Sequence, residues 1–362
     1  MIRYTIRRIL WAFIVLLGIL TTTFIFLKLQ PETIPTMVDQ RRAYLHQQYY
    51  DGYMTRQIIK LSDFETKAEY DNEVLKYQNE AGAFWVFTSK SLEVLYVYRS
   101  VPIMTQYFLW VKNIVTSWNW GTSTVLKPNI AVREILAPAI GYSFKINLVI
   151  LIMQIPFGLL LGITSAIKKD TVFDNIVQVI IMVFISLPSF VVMLLAIKWF
   201  GYDLKWLPQA WPPADSSTSI IVKGYIIPVV IMTTGGIAGL TRSVRAELTE
   251  GLTSEYVMLA RTKGLTKRQA IYRHALRNSL LPIIPGLLFS FVGLISGSAI
   301  IEQVYSIPGV GSIMLQSLQR RDYNIIMYST AFYGIIGLVT AVFMDLSYGF
   351  IDPRIKMGAR NV

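Results

Sequence analysis

The chain has 362 residues, of which 53% are hydrophobic and only 15% charged, with a net charge of +12. Soluble domains carry charge on about a quarter of their residues, so this balance excludes an ordinary globular protein and points to runs that cross a bilayer. The absence of cysteine excludes disulfides, iron–sulfur clusters and thiol chemistry, and two widely separated histidines, His46 and His274, argue against a histidine metal site.

Residues 9–27 form an uncharged run of 19, close to the roughly 20 residues that cross a 30 Å hydrocarbon layer. Arg3, Arg7 and Arg8 precede it and Lys28-Leu29-Gln30-Pro31 follows, with no small-residue cleavage site. It therefore reads as an uncleaved first span rather than a signal peptide. Basic residues collect on the cytoplasmic side, which places the N-terminus inside and residues 31–140 outside.

That outer segment holds 11 basic and 11 acidic residues. Residues 38–77 are charged and Tyr-rich, with spacing that predicts water-facing helix. From Val86 onward the aromatics thicken: Tyr96, Tyr98, Tyr107, Phe108, Trp110, Trp118 and Trp120. Two arrangements suit them, helices lying on the outer leaflet or a small folded cap around an aromatic core. The short apolar run 101–111 reads as interfacial.

Five further runs reach spanning length: 146–167, 176–197, 224–241, 278–301 and 323–344. Lys168 and Lys169 lie inside, 203–223 outside, 242–280 inside with eight basic residues against three acidic, and 302–322 outside. Arg354, Lys356 and Arg360 end the chain inside. Six spans with both termini cytoplasmic satisfy every loop. The basic residues flank spans instead of forming one patch, which argues against a nucleic-acid partner.

Two sets of small and polar residues fall within the spans, Thr233-Thr234-Gly235-Gly236 and the segment from Gly293 through Ser296 to Ser298. They suit close helix packing or the lining of a path. No charge lies inside the uncharged runs. An ion-coupled secondary carrier, the alternative of another class, would be expected to need intramembrane carboxylates or an internal repeat.

The inside loop 242–280 is the most informative. Thr253 is placed to cap a helix with Glu255 in its first turn. Arg261 and Lys263 fall in the last turn, and Gly264 supplies a left-handed end. Thr266 and Gln269 have capping-box spacing and restart a second helix. Two capped helices make a firm protrusion, able to transmit a push. No phosphate-binding loop, nucleophile elbow or paired-histidine zinc motif occurs in the sequence. The chain therefore reads as non-catalytic, with work supplied by a partner.

Ala260-Arg261-x-Lys263-Gly264-Leu265, Arg273-His274-Ala275-Leu276-Arg277-Asn278 and Leu281-Pro282 together resemble the coupling loop of ABC importer permeases, in particular the dipeptide, oligopeptide and nickel group. Met258-Leu259 and Leu276-Arg277 depart from the broader pattern, where Glu-Ala and Leu-Pro are common; the second departure is typical of the peptide group. Ile185-Ser186-Leu187-Pro188-Ser189-Phe190, Trp206-Leu207-Pro208, Glu302-x-Val304-Tyr305-Ser306-x-Pro308-Gly309-Val310-Gly311, Arg321-Asp322-Tyr323, Asp352-Pro353-Arg354 and Trp120-Gly121-Thr122-Ser123 extend the likeness. It covers residues 1–30 and 106–356 and leaves about 31–105 as an insertion.

The resemblance implies an all-α polytopic membrane protein with six transmembrane helices of the type I ABC importer permease fold and a large extracytoplasmic insertion after the first helix. Its parts are residues 1–30 (cytoplasmic N-terminus and first span), 31–140 (extracytoplasmic segment), 141–351 (five-helix core with coupling loop 242–280) and 352–362 (cytoplasmic tail). It implies no cofactor in this chain, with ATP and Mg bound by partner subunits. The implied partners are a second homologous permease, two ATPase subunits, an extracytoplasmic peptide-binding protein and membrane lipid, in a bacterial cell membrane. Glu255, Ala260, Arg261, Lys263, Gly264, Leu265, Thr266, Arg273 and His274 are the implied coupling residues. Thr233, Thr234, Ser296 and Ser298 are candidates for pathway lining or packing. Glu302, Tyr305, Pro308 and Gly309 are candidates for an outer gate or binding-protein contact. Weakly charged spans suit varied peptide side chains, so oligopeptides are expected ahead of dipeptides or nickel chelates.

Overall fold

The computed structural model describes residues 2–88 and 93–351. Lys90, the Asp352-Pro353-Arg354 motif and the basic tail expected inside lie outside the described residues. In chain order the elements are α1 (Ile2–Lys28), α2 (Val38–Tyr50), β1 (Met54–Lys60), α3 (Lys67–Gln78), β2 (Ala83–Phe87), β3 (Val94–Ser100), α4 (Ile103–Ser117), α5 (Val132–Ile167), α6 (Val172–Ser186), α7 (Ser189–Ala196), α8 (Thr218–Leu252), α9 (Glu255–Thr262), α10 (Lys267–Ala270), α11 (Leu276–Leu280), α12 (Ile284–Val292), α13 (Ala299–Val304), α14 (Val310–Arg320) and α15 (Tyr323–Ile351).

Among the described residues five helical segments are long and apolar enough to cross a membrane; a pair, α6 with α7 and its continuation to Asp203, bent by 94°, makes a sixth when counted as one broken span. The bend has a local cause. Pro188 removes a backbone donor and disfavours helix at the residue before it; Leu187 is extended at φ −87°, ψ 128°. Pro138, Pro156 and Pro228 sit inside α5 and α8 without ending them, as membrane helices allow. The fifth span is interrupted at Gly293–Ile295, between α12 and α13. Its freed carbonyls find side chains: Asn147 Nδ2 donates to Leu294 O at 3.0 Å and the Tyr333 hydroxyl to Ser296 O at 2.7 Å.

The chain divides into two compact units. One comprises Leu16–Leu136 and Gln316–Phe332. Within it, residues 38–100 form a three-layer cap. A sheet of order β1-β3-β2, antiparallel throughout, is its middle layer. Met54, Val86 and Tyr98 on one face bury against Tyr44 and Leu45 of α2; Ile59, Leu95 and Val97 on the other bury against Tyr70 and Val74 of α3. The folded cap is thus the arrangement found. The expectation of helix across 38–77 is corrected at β1, whose Met54–Lys60 pairs antiparallel with β3 and so alternates its side chains between the two cores. Where the cap begins and ends, the chain meets itself: Ser100 Oγ donates to Glu32 Oε2 at 3.3 Å.

Beneath the cap, Phe24 of α1 packs on Tyr107 and Trp110 of α4 at ring separations of 5.5 and 5.3 Å. Trp120 stands edge-on to Trp110 and to Tyr328. Of the residues expected to be interfacial, Trp110 and Trp120 form a buried aromatic cluster with Met327 and Ala331, whereas Met104, Phe108 and Trp118 are exposed. Loop 123–127 folds around one carboxylate. Asp322, fully buried, accepts from Ser123 Oγ at 2.6 Å, from Val125 and Leu126 N–H at 3.0 Å each, and from Thr124 N–H at 3.3 Å. Burial, then the Glu32 and Asp322 carboxylates, push the Tyr44 hydroxyl above the ordinary tyrosine range.

The other unit comprises Met1–Val15, Ala137–Leu315 and Tyr333–Val362 and carries the loop 242–280.

Candidate coupling surface and translocation groove

At 35 residues α8 is about 50 Å long by 1.5 Å per residue, well beyond a bilayer core. Its last turns lead into the short helices expected to form the coupling loop. Gly251, near its end, leaves room for Ser279 of α11 to approach, since an added Cβ would collide with the Ser279 hydroxyl. The N-cap position of the first loop helix, α9, is Ser254, not Thr253, and the Ser254 hydroxyl donates back to Gly251 O without capping α9. Thr253 instead ends α8 and its hydroxyl donates to Glu250 O at 3.0 Å, so the expected Thr253 cap is corrected by one residue. Glu255 lies in the first turn and Arg261 in the last, with Lys263 just beyond the helix end. Gly264 follows at φ +93°, a conformation that disfavours any side chain. Thr266 and Gln269 then exchange both capping-box hydrogen bonds, at 3.3 and 3.1 Å.

The two loop helices are seated through one side each. Val257, Ala260, Ala270 and Ala275 are buried against Ala166 of α5 and Leu248 of α8, with Leu265 packed at the edge. A five-residue π-helical turn, Ile271–Ala275, joins α10 to α11. The outward side is not what water alone would select. Tyr256, Met258, Leu259 and Tyr272 are exposed, Met258 at 66% and Leu259 at 56%. Exposed among them are the charges Glu255, Arg261, Lys263 and Arg273, and the imidazole of His274. Tyr256, Met258 and Leu259 line one exposed surface with Glu255, the composition of an interaction site. Met258 and Leu259 were visible in the sequence only as a departure from a pattern; the burial of Val257 and Ala260 beside them turns them outward.

Within the spans a groove of about 490 Å³ runs between α5, α8 and α12, lined by Gln154, Gly239, Ser243, Glu247, Gly286 and Ser290 among others. Thr233, Thr234, Ser296 and Ser298 are not among its lining residues. Thr233 is buried and the Thr234 hydroxyl bonds its own helix at Ile231 O. Glycines differ in role: Gly235, Gly239 and Gly286 face open space, whereas Gly236 lies so close to Gln154 that a Cβ would collide.

Near the other end of this unit, Glu302 explains its own motif. Its buried carboxylate accepts from Ser143 Oγ at 2.7 Å and from Ser312 N–H at 3.0 Å. Gly309 and Gly311 wrap it so closely that a Cβ at either would strike Glu302. Tyr305 is also fully buried. Burial pushes its hydroxyl up to about 12, so it stays protonated and donates to Pro208 O at 2.8 Å. Glu302 and Tyr305 thus hold the loop together and present no side chain to a partner; Pro308 and Ser306 are the exposed residues of the motif.

An ion pair unmarked in the sequence ties the opposite ends of three helices. Asp174 of α6, with no exposed surface, receives Arg245 of α8 through Nε at 2.7 Å and Nη2 at 2.6 Å and also accepts from Ser165 of α5. The 71-residue separation between the partners hides it from any local pattern.

Five apolar spans and a bent sixth pair, with a seated helical protrusion, describe a membrane-spanning transport component. The family described as "Binding-protein-dependent transport system inner membrane component" matches residues 155–357, and the chain belongs to it, as a permease subunit of an ABC importer. It is 33% identical over 269 residues to the dipeptide transport system permease protein DppB of Bacillus subtilis (strain 168), covering 74% of this chain and 84% of that one. It is 32% identical over 255 residues to the oligopeptide transport system permease protein OppB of Salmonella typhimurium, covering 70% and 81%. Among solved structures it is similar to the inward-facing MetNI methionine ABC transporter, at TM-score 0.43 and 17% identity over 62% of this chain and 97% of that one. Membership brings ATPase and substrate-binding partners and a multi-pass place in the inner membrane.

Proposed function

We propose that this chain forms half of the path for oligopeptides, paired with a second homologous permease, and takes its drive from two ATPase subunits seated on α9 to α11. The exposed Tyr256, Met258, Leu259 and Tyr272, on helices whose other side is fixed to α5 and α8, carry the reading. A push on that patch reaches α8 without loss in a flexible loop. The groove beside Gln154, Ser243 and Ser290 is the proposed path wall. The termini are cytoplasmic, the cap faces out toward a peptide-binding protein, and the chain itself hydrolyses no ATP.

Purification from membranes tests the assembly: two ATPase subunits and a second permease should accompany the chain, and Met258→Asp should shed the ATPase while leaving the permease pair intact. Uptake in a strain lacking the chain tests the substrate. Loss of tri- to pentapeptide uptake supports oligopeptides. Loss confined to dipeptides favours the alternative that the Bacillus relative's name suggests, and loss of nickel uptake alone overturns the peptide assignment.

A further inference from the structure

A second cavity, of about 240 Å³, opens where the end of α5, the end of α8 and the two loop helices meet. Its rim carries Lys169, Arg261 and Lys267, and no acidic residue lines it. None of the three cations has an ion pair or a side-chain hydrogen bond among the described residues. This is unlike Arg245 nearby, which is fully engaged with Asp174. One wall is apolar, built of Ile167, Leu252 and Ile271. Another lining residue, Thr249, has a buried hydroxyl oxygen without a hydrogen-bond partner. Unneutralised positive charge, an unused polar atom and an apolar wall at the ends of two spans together describe a receptor for an amphipathic anion.

We propose that this cavity binds the phosphate diester of an anionic phospholipid and that the bound headgroup braces the loop helices against α5. The position at the span ends rests on the proposed cytoplasmic orientation of the loop. A bridging phosphate meets Lys169, from the α5 side, and Arg261 and Lys267, from the loop helices. The first acyl carbons lie along Ile167 and Leu252. Basic residues kept only for topology would not converge on one cavity or need an apolar wall. The anion therefore stiffens the joint through which the ATPase push passes, and transport-coupled hydrolysis becomes dependent on the charge of the surrounding lipid.

The test uses the complete transporter, with its ATPase and permease partners, in vesicles of phosphatidylcholine with or without phosphatidylglycerol. Lipid retained after detergent extraction is counted by native mass spectrometry, and ATP hydrolysis is measured in both vesicles. Wild type should retain phosphatidylglycerol and be stimulated by it. Each cation near a membrane surface attracts anionic lipid by an amount equal to roughly a fivefold change in affinity. Lys169→Gln with Lys267→Gln should therefore lower retention and the apparent affinity for stimulation roughly ten- to thirtyfold, with the ATPase subunits still bound. Lys168→Gln, which removes a charge from the same turn but lies outside the cavity lining, should change neither. Equal retention by the double variant, or equal loss in Lys168→Gln, overturns the proposal. Displacement of the stimulation by millimolar inorganic phosphate would assign the cavity to a free anion and overturn the lipid source. Loss of the ATPase subunits from wild type would instead refute the coupling reading itself.

Discussion

Asp322 is the hub of loop 123–127, and its removal should be measurable amide by amide. In Asp322→Ala the N–H groups of Val125 and Leu126, each 3.0 Å from the carboxylate, lose their acceptor, as does the Ser123 hydroxyl. A buried donor left unmade costs about 1–3 kcal/mol. The buried Thr124 amide and the part-buried Val125 and Leu126 amides together come to roughly 4 kcal/mol, which at 1.4 kcal/mol per decade corresponds to about a thousandfold faster hydrogen exchange. Lys127 N–H should follow, because its acceptor is Ser123 Oγ at 2.9 Å, itself oriented by Asp322. Asp322→Asn keeps one acceptor oxygen but turns an amide toward the donors, and should accelerate exchange roughly ten- to a hundredfold. Hydrogen-exchange mass spectrometry of the detergent-solubilised chain, on peptides covering 121–128, reads this directly. Unchanged protection in Asp322→Ala, or no protection in wild type, would refute the account of the loop as built around this side chain.

Gly311→Ala should lower the melting temperature of the solubilised protein by several degrees, because the new Cβ would lie 2.7 Å from the backbone nitrogen of Ala299, which cannot step aside. Gly235→Ala, with open space at that position, serves as the control and should leave stability equal or slightly higher. Arg245→Ala should cost about 3–5 kcal/mol by leaving the buried Asp174 unpaired. The double variant with Asp174→Asn should recover part of that loss, and a double variant no better than Arg245→Ala would refute the pairing as the cause. Gly264→Val, at φ +93°, should leave membrane levels near normal but reduce ATP-driven uptake; unchanged uptake with the ATPase bound would remove the loop from the coupling path.

The spans were readable because hydrocarbon admits few solutions: an uncharged run of sufficient length is nearly a complete description of a crossing helix. Their interruptions were harder. Leu187-Pro188 stands in the sequence as an ordinary helix stop, yet its place within one continuous apolar run conceals the 94° bend. The cap strands were concealed for another reason. β3 is covered on both faces, with Leu95 and Val97 turned to α3 and Tyr98 to α2. Doubly covered strands lose the polar alternation that identifies a strand, and Val94 to Tyr98 reads simply as an aromatic, apolar stretch. Among the candidate site residues, Gly264 and Thr266 were readable because capping is written within a few positions. Asp174 with Arg245, and Asp322 with Ser123, were not, since each pair is made by helices or loops distant in sequence. Glu302 was readable as part of a motif, but its meaning depended on finding Gly309 and Gly311 folded around it.

The contact between Glu32 and Ser100 has a consequence for how such a chain is assembled over time. A domain whose two junctions are close enough for a 3.3 Å side-chain hydrogen bond can be gained or removed with little movement of the helices on either side. Residues 33–99 behave as a graft on a closed stem, so a short Gly-Ser bridge across the junction should suffice to restore the chain path. An elaboration of the outer surface could thus evolve, or be exchanged for another, while the machinery between the membrane faces stayed the same.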